Sequence, residues 1–171
     1  LRKPSPPGQH GAARKKKSDF ALQLAEKQKI RWTYDVSERQ FYSVYEEASR
    51  AKGVTGTIML QILESRLDNI VFRSNLAGSR AHARQLISHG HVLLNGERVT
   101  VPSIRTKLGD KIAVRDKSKA HLKESHKAAV IVPDWIAAEE KNLEASVTMI
   151  PTREQLDQSF NEHLVIEYYS R

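Results

Sequence analysis

The sequence has no cysteine in its 171 residues, which excludes disulfide scaffolds and cysteine-held zinc. Aromatic residues make up only 6% of the chain, so a core must be assembled mainly from Leu, Ile, Val and Ala. No apolar run approaches the ~20 residues that a membrane-spanning helix needs. No secretory leader pattern opens the chain. Enzyme fingerprints are missing too: there is no G-x-S-x-G, no Walker or dinucleotide glycine pattern and no H-E-x-x-H. His82, His89 and His91 crowd one stretch, yet no carboxylate stands nearby as a fourth metal ligand. Glu46 and Glu47 are neighbours on a helix and point different ways, which makes a poor acid–base pair. The expectation is a protein that is not an enzyme and carries no metal and no cofactor.

What the chain has in excess is positive charge. Its formal net charge is +8 and its isoelectric point is about 9.8, a field that attracts polyanions. The excess is concentrated. Residues 1–17 carry six Lys/Arg (Arg2, Lys3, Arg14, Lys15, Lys16, Lys17) and no acid, and residues 66–115 carry nine basic against three acidic groups. Residues 53–65 hold a single charge, Glu64, and residues 116–171 are net acidic. The tail is therefore open to a different partner from the rest.

Residues 1–17 contain Pro4, Pro6, Pro7, Gly8 and Gly11 and show no apolar period, which predicts an extended basic arm. Ser18 predicts a helix cap, the helix running to about Arg31. Ser37 with Gln40 three residues on is a capping box, and Val36 with Phe41 a hydrophobic staple. Phe41, Val44, Tyr45 and Ala48 then give the stripe of a buried helix face, stopped by Gly53. Thr57 predicts the cap of a third helix, and the period carries on through Glu64 and Leu67 to Arg73 without a break. Ser79 caps a further helix to about His89, ended by Gly90.

The period then changes. Val92–Leu94 and Glu97–Val99 flank Asn95-Gly96, the strongest short hairpin signal because both turn positions require positive φ. Gly109-Asp110 predicts a second turn before a strand over Lys111–Arg115. Residues 116–129 look polar and weakly helical. Val147–Ile150 and Leu164–Tyr169 read as short strands, with a helix at 153–158 between them. The predicted fold class is α+β: a helical domain (18–65 and 116–171) with an inserted module (66–115) of two helices on a small antiparallel sheet, preceded by the arm (1–17).

The Ser79–His89 helix concentrates the chemistry. Ala83, Leu86 and Ile87 share one side, while Arg80, Arg84, Gln85 and Ser88 project from another. Arg80 and Arg84 stand one turn apart, about 6 Å, a spacing that resembles the pitch of phosphates along a strand. Guanidinium offers a planar fork that matches phosphate oxygens and stacks on bases. Folding the helix pair onto the sheet is expected to bring His91, Arg98, Arg105 and Lys107 toward this face, giving a rigid basic groove that reads backbone geometry.

Arg66-Leu67-Asp68-Asn69-Ile70-Val71-Phe72-Arg73, followed by Ser79-Arg80-Ala81-His82-Ala83-Arg84-Gln85-Leu86-Ile87-Ser88-His89-Gly90-His91-Val92-Leu93-Leu94-Asn95-Gly96-Glu97-Arg98-Val99, resembles the RNA-binding module named after ribosomal small-subunit protein four. That module also occurs in pseudouridine synthases, some tyrosyl-tRNA synthetases and heat-shock RNA-binding proteins. The flanks narrow the resemblance. Pro7-Gly8-Gln9-His10-Gly11 with its Lys/Arg run, Glu26-Lys27-Gln28-Lys29, Glu38-Arg39-Gln40-Phe41 and Asn161–Arg171 are similar to the bacterial-type family of small-subunit ribosomal protein four itself, over nearly the whole chain. The family's first N-terminal stretch, which in some members holds a cysteine zinc knuckle, has no counterpart here. Residues 116–146 match weakly and contribute no expected contacts.

The resemblance implies a protein of the cytoplasmic small ribosomal subunit that binds the 5′ domain of small-subunit ribosomal RNA at a helix junction and nucleates assembly. It implies a neighbour, small-subunit protein five, an influence on decoding accuracy at that contact and, in some members, repression of the protein's own messenger. The expected RNA contacts are Lys3, Gln9, His10, Arg14, Lys15, Lys16, Lys17, Lys27, Lys29, Arg31, Arg39, Arg66, Asn69, Arg80, Arg84, Gln85, Ser88, His89, His91, Arg98, Arg105 and Lys107. The expected protein contacts are Glu162, Glu167, Tyr168 and Tyr169. Two other readings compete with this one. A free RNA-binding stress factor would sediment with large subunits. A basic membrane-surface protein would need an apolar insertion face, which the Arg/His-rich stretches lack.

Overall fold

A computed structural model describes residues 8, 9, 11, 16–119, 131–139 and 141–170. The expected contacts Lys3, His10, Arg14 and Lys15 lie outside the described residues, as does most of the polar stretch predicted to be weakly helical.

The first three helices are α1 (Asp19–Thr33), α2 (Glu38–Arg50) and α3 (Thr55–Glu64). Ser18 caps α1 by accepting from the Ala21 amide, and the helix runs two residues beyond Arg31. The Ser37 capping box is complete: Ser37 Oγ accepts from the Gln40 N–H and Gln40 Oε1 accepts from the Ser37 N–H. α3 begins before Thr57, with Val54 at its cap position and no side-chain cap. Packing fixes that start. A Cβ on Gly56 would lie 2.2 Å from Glu162 Cγ, so this turn sits directly against the last helix, α6 (Glu162–Tyr169).

The uninterrupted helix expected through Arg73 is corrected. It breaks at Ser65-Arg66, and α4 spans Leu67–Arg73. The loop after the hairpin causes the break by taking the backbone partners. The Thr106 N–H donates to Ser65 O (2.8 Å), the Leu67 N–H to Ile104 O (2.8 Å) and the Asp68 N–H to Pro102 O (3.1 Å). Apolar periodicity survives such a break because each half still buries an apolar face, α3 through Met59, Leu60 and Leu63 and α4 through Leu67, Ile70 and Val71.

α5 (Arg80–Ser88) is capped by Ser79, which accepts from the His82 N–H. Then come β1 (Val92–Leu94), β2 (Glu97–Arg98) and β3 (Lys111–Val114). Asn95 and Gly96 have φ of +53° and +87°, as the hairpin turn demands. The sheet is larger than expected. β4 (Ile136–Glu139) and β5 (Glu144–Val147) extend it to five antiparallel strands in the order β2-β1-β3-β5-β4. The strand expected at 147–150 is thus shifted toward the N-terminus, and Met149 and Ile150 are exposed.

The strand expected at 164–169 is corrected to helix α6. Its Val, Ile and Tyr content favours a strand locally. Packing decides otherwise: Glu162, Val165 and Tyr169 repeat at helical spacing, and α6 lies along α1 and touches α3. The helix expected at 153–158 is a single 3-10 turn, Arg153–Gln155.

Two apolar cores result. One joins α1, α2, α3 and α6 through Ile30, Phe41, Leu60, Leu63 and Val165. The other joins α4, α5 and the sheet through Ile70, Ile87, Val92, Ile112 and Trp135. β5 pairs with β3 and β4 with β5, whereas Arg153–Tyr169 returns to the helices. No helix among the described residues is long and apolar enough to cross a membrane.

Candidate nucleic-acid interface

The two cores meet where α3 gives way to α4, and the meeting point is polar. Glu64 is 1% exposed. Its carboxylate accepts from Tyr34 Oη (2.7 Å), Arg73 Nη2 (2.6 Å) and Nε (3.2 Å), and Asn69 Nδ2 (2.5 Å). Asn69 Oδ1 in turn accepts from Arg80 Nε at 2.9 Å. Arg80 lies 4.5 Å from the Phe72 ring centre and 5.1 Å from that of Tyr34, within cation–π range. Burial, then the neighbouring Arg73, push the Arg80 guanidinium below its ordinary pKa. Burial and Glu64 push the Tyr34 phenol well up.

The open Arg80–Arg84 pair expected on α5 is therefore corrected. The helix stripe is as predicted, with Ala83, Leu86 and Ile87 buried, but the Arg80 side chain folds inward. Asn69, another expected contact, is 1% exposed and belongs to the same network.

At the edge of this junction Arg84 and Arg105 are more open, 33% and 46% exposed in the side chain, whereas Arg66 is buried. Asp68, 2% exposed, accepts from Arg66 (2.8 and 3.1 Å) and from Arg84 Nη2 (3.0 Å). Arg84 Nη1 also donates to Asp35 Oδ2 at 2.9 Å, and its Nη2 to Asp35 O at 2.7 Å. Arg105 grips Glu47 with both terminal nitrogens, Nη2 at 2.6 Å from Oε2. Those hydrogen bonds hold the Glu47 carboxyl below its usual pKa. Arg39, Arg66 and Arg105 line one groove of about 550 Å³ with Ser37, Gln40, Ser43 and Ser103. An isolated β-bridge between Arg66 and Arg105 fixes its floor. Arg39 is exposed and has no ion-pair partner among the described residues.

The remaining expected contacts fall elsewhere. At the end of α5, Arg98 Nη2 reaches His89 O (3.4 Å) and Arg115 Nη1 reaches Gly90 O (3.2 Å), cations at a helix C-terminus. His91 Nδ1 lies 2.8 Å from Ser118 Oγ, and the His89 and His91 ring centres are 6.1 Å apart. Gln85 is exposed, and Ser88 Oγ donates back to Arg84 O. Lys107 is not in the arginine groove; it lines an apolar recess of about 340 Å³ with Ile58, Ile62, Leu108 and Trp135. Lys27 is buried and paired with Glu38 at 2.6 Å. Arg31 donates to Gln28, and Lys29 bonds Glu26 and Ser159 O. Gln9, Lys16 and Lys17 are exposed.

The four expected protein contacts sit on or at the start of α6 and are engaged within the chain. Glu162 pairs with Arg153 at 2.7 Å, and Gln23 Nε2 donates to Glu167 at 2.9 Å. Tyr168 lies beneath Lys27 Nζ at 5.0 Å, and Tyr169 Oη donates to Glu38 at 2.7 Å.

Sequence reasoning missed Tyr34, Asp35, Glu47, Glu64 and Arg73. One signal was available. Glu64 is the single charge in residues 53–65, and a lone acid in an otherwise apolar helical stretch points to a buried, partnered carboxylate.

A helix pair on an antiparallel sheet, an Asn-Gly hairpin and arginines gathered where this unit meets a helical one define the class: an α+β RNA-binding protein built around an S4-type module. Residues 1–64 match the ribosomal protein S4/S9 N-terminal domain and residues 65–112 match the S4 domain. The chain is 47% identical to small ribosomal subunit protein uS4A of Symbiobacterium thermophilum, covering 100% of this chain and 84% of that one. It is 47% identical to the uS4 of Rubrobacter xylanophilus (99% and 86%) and 48% identical to that of Thermus thermophilus (99% and 84%). The chain belongs to the small ribosomal subunit protein uS4 family, whose members are structural ribosomal proteins rather than enzymes.

Proposed function

We propose that this chain is a structural component of the cytoplasmic small ribosomal subunit that recognises folded small-subunit RNA through the junction between its two units. Family membership supports the ribosomal role. The observation that carries the interface is the groove in which Arg39, Arg66 and Arg105 converge from three separate parts of the chain. Rigid guanidinium forks in a shaped groove suit phosphates displayed by a folded RNA. Exposed Gln9, Lys16 and Lys17 extend the basic surface. Lys27, Arg80 and Asn69 act by holding the helices that present it.

The finer reading rests on the resemblance. The RNA is the 5′-domain junction, bound early enough to nucleate assembly, and the same surface serves for repression of the protein's own messenger. Small-subunit protein five is the partner of the C-terminal part, the contact through which decoding accuracy is influenced, with other small-subunit proteins nearby. The division that fits this reading is an arm (1–17), a helical unit (18–65 with α6) and the module (66–115), its sheet completed by β4 and β5.

Footprinting on naked small-subunit RNA, with binding followed across a salt series, tests the proposal. Protection at one multi-helix junction is expected. Affinity falls ~10³-fold or more between about 50 and 200 mM salt if roughly six to ten phosphates are neutralised. A flat salt dependence, or equal affinity for unrelated duplexes, would overturn it.

A further inference from the structure

Two acids face RNA-directed arginines across the gap between the units. Asp35 follows α1 and Glu47 lies on α2, both in the helical unit, while Arg84 and Arg105 belong to the module. Neither carboxylate is buried: Asp35 is 55% and Glu47 50% exposed in the side chain. Burial of the helical core does not require them there. Asp35 even occupies a left-handed backbone position, φ +51°, which Asp tolerates better than most residues. Asp35 Oδ1 accepts no hydrogen bond among the described residues. Each arginine fixes a negative group beside the surface on which phosphates are to be received.

From this we infer that Asp35 and Glu47 are specificity-determining residues for RNA, a deeper reading of the interface proposed above, on which it rests. A phosphate driven against either carboxylate is repelled at short range, at a cost that grows where water is excluded. A ribose hydroxyl or a base edge meets no such penalty. An RNA whose backbone passes over exposed Arg39 and along the groove while keeping its phosphates clear of the two acids is accepted. A duplex that merely offers regular charge is not. Discrimination here comes from a repulsive element placed beside an attractive one.

Glu47→Gln and Asp35→Asn each remove the charge and keep the side-chain shape. Binding of each variant to naked small-subunit RNA and to an unrelated RNA duplex is compared with the parent, with a thermal melt for each. Glu154→Gln, an exposed acid in the 3-10 turn with no ion pair among the described residues, controls for net charge. The expected result is about fivefold to tenfold tighter binding of the unrelated duplex by the Asp35 and Glu47 variants, against less than about threefold change for small-subunit RNA. Glu154→Gln is expected to leave the ratio of the two affinities unchanged. A ratio unaltered in both variants, or altered equally by Glu154→Gln, overturns the inference while the interface stands. A parent protein with no preference for small-subunit RNA overturns the interface itself.

Discussion

The buried junction beneath α4 and the open groove beside it use the same residue types in opposite ways. Around Glu64 the carboxylate is sealed from water and its partners, Tyr34, Asn69 and the half-buried Arg73, saturate it. At Glu47 and Asp35 the pairs lie in solvent and keep free acceptor capacity. A sealed charge cannot be released to a ligand without leaving its partner uncompensated, which costs several kcal/mol. An exposed pair exchanges its partner for a fraction of that. Basic residues in an RNA-binding protein thus divide into those that build the surface and those that meet the RNA; burial places Arg66, 7% exposed and paired with Asp68 at the base of the groove, with the builders, and exposed Arg39 with those that meet the RNA.

The sharpest way to break this comparison is to remove the sealed acid. Glu64→Ala leaves Arg73, half-buried, and the buried Tyr34 hydroxyl and Asn69 amide without the carboxylate that accepts from all three. A loss of about 3–5 kcal/mol of folding stability in urea is expected. A loss under about 1 kcal/mol would show that the junction is wetter than its geometry indicates. Arg80→Ala comes next, at about 2 kcal/mol, for one charge-assisted hydrogen bond and two ring contacts. Arg84→Ala reverses the pattern. It should cost about 1–3 kcal/mol in RNA affinity, read by filter binding, with a smaller fall in stability because buried Asp68 keeps Arg66 when it loses Arg84. Unchanged affinity in that variant would move Arg84 to the building class.

Local chemistry was legible in the sequence. The Ser37 capping box, the Ser79 cap and the Asn95-Gly96 hairpin each depend on residues within four positions of one another, and each is found where the pattern places it. Long-range pairing was not legible. The break at Arg66 is made by amides and carbonyls of residues 102–106, β5 attaches to β3 from beyond a polar stretch and carries β4 on its far edge, and α6 is helical because α1 and α3 offer it a groove. The interface followed the same rule. The apolar stripe of α5 was visible at 100° per residue, but the inward fold of Arg80 depends on Phe72, Tyr34 and Asn69, which no helical period reveals. Arg39, Arg66 and Arg105 converge only once both units have folded.

The smallest effect sharpens the open side of the comparison. Arg105 holds the Glu47 carboxyl below its unfolded pKa. A depressed carboxylate contributes stability that is fully present above the unfolded pKa and is lost as pH falls through the folded one. At neutral pH the Glu47–Arg105 pair is intact, and its contribution is lost as pH falls through the lowered pKa at which folded Glu47 takes up a proton. Because both side chains are about half exposed, the contribution is ~0.2–1 kcal/mol and falls further in salt. Glu47→Gln should therefore lower the neutral-pH stability by that small amount and flatten the acid limb of the stability profile, measured by urea unfolding from pH 7 to 3. A profile with the same slope as the parent's would mean that the pair contributes nothing to folding, leaving Glu47 free to act on RNA alone.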